Sequence, residues 1–102
     1  MAYENGALDE TLFAAAGGDG DLLAELRSAF LASVTLQVDL LRRSRCDGNW
    51  SIAAMRLRGL GASFHAQRLV ALAEEAVEAA PGDPVVVRKL EQFVRDVGAS
   101  YG

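Results

Sequence analysis

His65 and Cys46 are the single histidine and the single cysteine in a sequence of 102 residues. One thiol beside one imidazole cannot complete a zinc site, and no internal disulfide can form, which suits a reducing cytoplasm. A Ser-His-Asp arrangement would have to rest on His65, and no nucleophile motif accompanies it. "DGD" at 19–21 has the opening of a calcium loop, yet Phe30 stands where the bidentate glutamate is needed, so the stretch reads as a helix start. "GLG" at 59–61 follows no strand and completes no dinucleotide fingerprint. Glu74, Glu75 and Glu78 form a solvated acidic stripe rather than a general acid/base pair. The residues give no enzyme, no metal site and no cofactor site. What remains is recognition, and the stretch that carries it is "AAMRLRGLGA" at 53–62.

The elements that must position this stretch are helices. Hydrophobic residues make up 51% of the chain and charged residues 24%, enough for one domain with its own core. Few β-branched residues outside "VVV" at 85–87 favour helix over sheet. A net charge of −4 repels a phosphate backbone, so nucleic acid is not an expected partner. No apolar run approaches the roughly 20 residues of a membrane span, and the N-terminus lacks a basic start and an apolar core. A cytoplasmic chain without membrane contact is expected.

A short helix is predicted from Leu8 to about Ala16, with Asp9 as N-cap and "GGDG" at 17–20 as its stop. A second runs from near Asp21 to Arg45, its inner face formed by Leu23, Leu26, Phe30, Val34, Val38 and Leu41. Arg42, Arg43 and Arg45 complement the dipole at its end. "CDGN" at 46–49 reads as a turn. The third helix covers about Trp50 to Phe64, and the fourth about Ala66 to Ala80, with Leu69, Leu72, Ala76 and Val77 inward. Pro81 and Gly82 close the fourth helix. Asp83 as N-cap and Pro84 at the first position then open a fifth, in which Val86, Leu90, Phe93 and Val97 share a face. The expected architecture is all-α: an up-down-up-down antiparallel four-helix bundle with a short N-terminal capping helix, spanning residues 8–97 between flexible ends at 1–7 and 98–102.

On the third helix, Trp50, Ala54, Leu57, Gly61 and Phe64 fall within a sector of about 80°, which must be the core side. Met55 lies about 140° away, with Ile52, Gly59 and Ala62 near it and Arg56 and Arg58 as borders. Isolated apolar residues on a surface are ordinary. Here two large ones cluster with a mid-helix glycine that costs about 1 kcal/mol of helix stability, and that combination suits a docking face.

Ala54, Met55, Arg56, Leu57, Arg58 and Gly59 resemble the A-H-x-L-K-G motif of the histidine-containing phosphotransfer (HPt) domain family. "GGDGDLLAELRSAF" at 17–30 is similar to the entry to that family's second helix, and "AQRLVALAEEAVEAAPGD" at 66–83 to the helix after its active helix. The resemblance covers about residues 8–97. It implies a phosphorelay protein whose partners are a response-regulator receiver domain or a histidine kinase, engaged through Ile52, Met55, Arg56, Arg58, Gly59 and Ala62. Met55, however, occupies the place of the phospho-accepting histidine, and a thioether cannot form a phosphoramidate. The resemblance thus points to a pseudo-HPt that acts by binding, with no catalytic residue. Leu57 keeps the family's core leucine, Arg58 the charge of its lysine and Gly59 its small residue, whereas Leu60 is larger than the residue many members carry.

Two alternatives accompany this reading. His65, ten residues beyond Met55 and some 80° round the helix, could be a relocated phospho-acceptor, although a surface or capping role is the plainer account. The outward patch of the third helix could instead hold two copies together, so the chain is expected as a monomer or weak homodimer.

Overall fold

The computed structural model describes residues 6–101. Its elements are α1 (Gly6–Ala16), α2 (Gly20–Arg42), α3 (Asp47–Ser63), α4 (Gln67–Glu78) and α5 (Pro84–Tyr101), and among the described residues there is no strand. Contacts join α2 to α3, α3 to α4, α4 to α5 and α5 back to α2, while α1 lies against α2.

Helix ends are set by identifiable groups. Gly17 and Gly18 take φ of +61° and +88°, the left-handed backbone that ends α1 without a Cβ penalty. Asp19 then caps α2, its carboxylate accepting from the backbone N–H of Asp21 and Leu22 at 3.0 and 3.1 Å. Asp83 caps α5 in the same way, through the N–H of Val85 at 2.8 Å, with Pro84 at the first helical position as expected.

Four boundaries differ from the sequence expectation. Asp9 is not an N-cap: α1 begins three residues earlier, and Asp9 sits in its first turn, where a carboxylate favours the helix dipole. α2 stops at Arg42 rather than Arg45, because Ser44 turns its N–H to Leu41 and its hydroxyl to the Leu40 carbonyl, closing the ladder. "CDGN" is not a turn. Cys46 is extended at the N-cap of α3, and Asp47, Gly48 and Asn49 form its first helical turn. Burial of Trp50 overrides their turn preference: its indole N–H donates to the Ala76 carbonyl at 2.8 Å. Finally, α5 continues through residues 98–101 instead of fraying. The remaining terminal residues, 1–5 and 102, lie outside the described residues, so the expectation of flexible ends is not addressed there.

The core draws on all five helices: Leu8 and Leu12 from α1, Phe30, Val34, Val38 and Leu41 from α2, Trp50, Ala54 and Leu57 from α3, Leu69, Ala73 and Ala76 from α4, and Val86, Leu90, Phe93 and Val97 from α5. Removing a large apolar side chain of this kind from water contributes about 1.5–3 kcal/mol. Val77 is a correction; it is exposed, and Ala73 takes the inward place because it lies between Leu69 and Ala76 on the buried stripe. Phe64, half-buried at the end of α3, meets the Phe30 ring edge-on at 5.1 Å.

Small residues bring α3 and α4 close. A Cβ on Gly61 would stand 2.8 Å from Val70 Cγ2 and 2.9 Å from the Val70 backbone nitrogen, whereas one on Gly59 would meet nothing within 4 Å. Gly61→Ala is therefore expected to destabilise the fold by about 1–3 kcal/mol, and Gly59→Ala to stabilise it by up to about 1 kcal/mol. Urea melts of the two variants beside the parent chain measure both.

At the end of α5, the Tyr101 ring lies 5.2 Å below the Arg27 guanidinium. Burial, and secondarily the charge of Asp9, push its phenol from 10.0 up to about 12. Its folded value exceeds its unfolded one, so this contribution to stability is complete below pH 10.0 and declines as pH rises toward about 12. Tyr101→Phe is expected to flatten that alkaline decline in thermal melts.

Candidate docking site

α3 is helical without interruption from Asp47 to Ser63, so its outward residues keep fixed angular positions. Trp50, Ala54, Leu57 and Gly61 are buried. The opposite side is wet: Met55 is 53% and Ile52 50% exposed, and Arg56, Arg58, Gly59 and Ala62 are exposed with them. Ile52, Met55, Gly59 and Ala62 share a sector of about 80°, with Arg56 beyond one edge and Arg58 beyond the other. All six residues expected at the site thus lie on one continuous face. Open space over Gly59 leaves the backbone accessible to an incoming surface.

Neither arginine is committed elsewhere. Among the described residues, Arg56 and Arg58 have no ion-pair partner, whereas Arg42 and Arg43 both hold Asp39, at 2.6 and 2.9 Å. The Arg42 hydrogen bond, with help from Arg43, keeps the Asp39 carboxyl below its ordinary range. Such exposed pairs are worth little in stability. Arg43, but not Arg42, also borders α3.

Sequence reasoning missed the contribution of α2. A groove between the two helices is lined by Gln37, Leu40, Arg43 and Ser44 from α2 and by Asn49, Ile52, Ala53 and Arg56 from α3. Arg43 had a sufficient explanation in the helix dipole, and nothing in the α2 pattern announces which helix lies beside it. Leu60, the residue out of keeping with the HPt motif, falls about 140° round from Met55. It is half-buried against the core, so its bulk stays off the outward face.

His65 is not on this face. It sits in the turn after α3 with φ +59°, the only described non-glycine residue with positive φ. Ala66 N–H donates to the Gly61 carbonyl at 2.8 Å and His65 N–H to that of Ala62 at 3.4 Å. These paired bonds make a Schellman ending, whose left-handed position normally favours glycine. A side chain there costs about 1–2 kcal/mol. Part of the compensation is visible: His65 Nδ1 lies 2.8 Å from Thr11 Oγ1, tying the turn to α1. The expected capping role is thus occupied, in a position where a glycine would satisfy the backbone alone.

No imidazole, thiol, hydroxyl or carboxylate lies among the six residues of the outward face, and the Met55 thioether has neither a proton to give nor a nitrogen to phosphorylate. An apolar centre bordered by guanidinium groups is complementary to a surface with an apolar contact and acidic neighbours. Among the described residues, no three His, Cys, Asp or Glu side chains are grouped to hold a metal ion, and no helix is long and apolar enough to cross a membrane. No family model matches the chain, and neither a curated protein nor a solved structure matches it.

The Thr11 hydroxyl has one proton, and it donates it to the Ala7 carbonyl at 2.8 Å. It must then accept from His65, so neutral His65 is expected to carry its proton on Nδ1, the less common tautomer in a free imidazole. Nitrogen chemical shifts of the ring should report that form in the parent chain and revert toward the Nε2-protonated form in Thr11→Val.

Proposed function

We propose that the chain is a pseudo-HPt: an up-down-up-down antiparallel four-helix bundle, closed at one end by α1, that takes part in phosphorelay signalling by binding rather than by carrying phosphate. Its partner is a response-regulator receiver domain or a histidine kinase in the cytoplasm, and it serves as a decoy, scaffold or modulator. The observation that supports this reading is Met55, half exposed at the centre of an apolar face between two arginines that have no ion-pair partner among the described residues. In the motif that residues 54–59 resemble, this place belongs to the phospho-accepting histidine. A flexible, polarisable methionine can fill the partner's pocket without offering it a nucleophile.

The face has the features such a role requires. Its anchors are rigidly held, since α3 is fixed by Trp50 at one end and Gly61 at the other. Arg56 and Arg58 supply the charge that an acidic receiver surface would recognise, and the adjoining groove with Arg43 extends it onto α2. No residue of the face acts as catalyst, metal ligand or cofactor ligand in this reading.

One observation favours a second reading. Thr11 engages Nδ1 of His65, which leaves Nε2 of an exposed imidazole as the available nitrogen. Under this alternative the chain remains a phosphocarrier, with its acceptor moved into the turn after α3.

One set of measurements separates these. Titration of the labelled chain with the host's receiver domains and histidine kinases is expected to shift resonances of residues 52–62. Met55→Glu and Arg58→Glu are each expected to weaken that binding about tenfold or more. Met55→His should acquire an acid-labile label from a phosphorylated receiver, while the parent chain stays unlabelled. Binding unchanged by Met55→Glu would remove the basis of the docking proposal, and label on His65 of the parent chain would establish the alternative.

A further inference from the structure

The outer face of α2 is unlike the rest of the surface. No ionisable residue occurs between Arg27 and Asp39, and along this stretch Ser28, Ala29, Ala32, Ser33, Thr35 and Leu36 are exposed. Leu36 is 54% exposed and stands over a shallow depression that Ala32 helps to line. The two ends of the helix, by contrast, carry opposite charge. Asp19, Asp21 and Glu25 lie at the start, and Arg42, Arg43 and Arg45 at the finish, where Arg42 and Arg43 hold Asp39 and Arg42 also lies 4.0 Å from Glu91 of α5.

We infer that two copies of this chain pair through this face, α2 against α2, antiparallel about a two-fold axis at the level of residue 34. With about 100° per residue, Glu25, Ala29, Ala32, Leu36 and Arg43 lie within a sector of about 60° opposite the buried stripe of Phe30, Val34 and Leu41. An antiparallel register centred on residue 34 sets Glu25, nine positions before it, opposite Arg43 of the second copy, nine positions after. The same register sets Leu36 of each copy over Ala32 of the other. Small residues at the crossing let the helix axes approach to about 8 Å, and Leu36 fills the space they leave. A two-fold axis repeats every contact, so the acidic start of each helix meets the basic finish of the other twice.

The charge pattern selects a second copy as occupant. An uncharged helix face alone could be covered by many things, but acidic residues at one end and basic residues at the other are self-complementary only when the helix meets itself reversed. A single helix crossing is a small interface, so the pairing is expected to be weak, in the micromolar to near-millimolar range. This inference does not depend on the docking role of the outward residues of α3, although Arg43 also lines the groove beside them.

Sedimentation of the full chain over low-micromolar to near-millimolar concentration tests it. The mass is expected to rise toward twice that of the monomer. Leu36→Arg, a substitution at an exposed site with high helix propensity, should weaken the association about tenfold or more. Glu25→Arg and Arg43→Glu should each weaken it by about two- to fivefold, and the chain carrying both should regain it. Met55→Glu should leave it unchanged. A monomer throughout overturns the inference, as does an association that ignores Leu36→Arg and disappears with Met55→Glu, or a double charge reversal that restores nothing.

Discussion

The close approach of α4 to α3 at Gly61 is the constraint on which the rest of the structure depends. With no Cβ there, the backbone of Val70 comes within the space a methyl group would need, and the Gly61 carbonyl is free to accept the N–H of Ala66. At the far end of the same seam the Trp50 indole reaches the carbonyl of Ala76. The two contacts hold α4 back along α3 over nearly its whole length. Ala53, Ala54, Ala66, Ala73 and Ala76 are all buried along these two segments.

This seam fixes the orientation of α3, and with it everything on the opposite side. A helix whose buried stripe is pinned at Trp50, Leu57 and Gly61 cannot rotate to hide Ile52 and Met55. Their exposure follows from the geometry of the core rather than from any local preference. The glycines at 59 and 61, two residues apart, therefore do unrelated work. One admits a neighbouring helix, and the other leaves open surface.

Much of this was legible in the residues, and what was not has physical causes. Periodicities of three and four identified the inner faces of α2 and α5 and the outward set on α3, because burial on one side of a helix writes itself directly into the spacing, whereas α1 was read from its glycine stop. Helix starts governed by one side chain, such as Asp83 before Pro84, were equally plain. "CDGN" misled because turn propensity is local, whereas Trp50 draws its helical turn from a carbonyl on α4 that no short window contains. The start of α2, expected near Asp21, falls at Gly20 with Asp19 as its cap, just after the two left-handed glycines. The groove beside Ile52 could not be read at all, since it exists only once α2 and α3 are neighbours. His65 lay in between: its position at a helix end was foreseeable, but not its bond to Thr11, which is 54 residues distant in the chain.

The short connections between successive helices also bear on how the chain reaches this state. Four of the helix pairs in contact, α1 with α2, α2 with α3, α3 with α4 and α4 with α5, are neighbours in sequence, and α5 with α2 is the distant pairing among the longer helices. Little loop entropy must be lost before the first of these hairpins can pack, which places such a topology among those that fold in microseconds to milliseconds. The pairing of α3 with α4, anchored at both ends, joins segments close in sequence, whereas α5 must close onto α2 across two intervening helices.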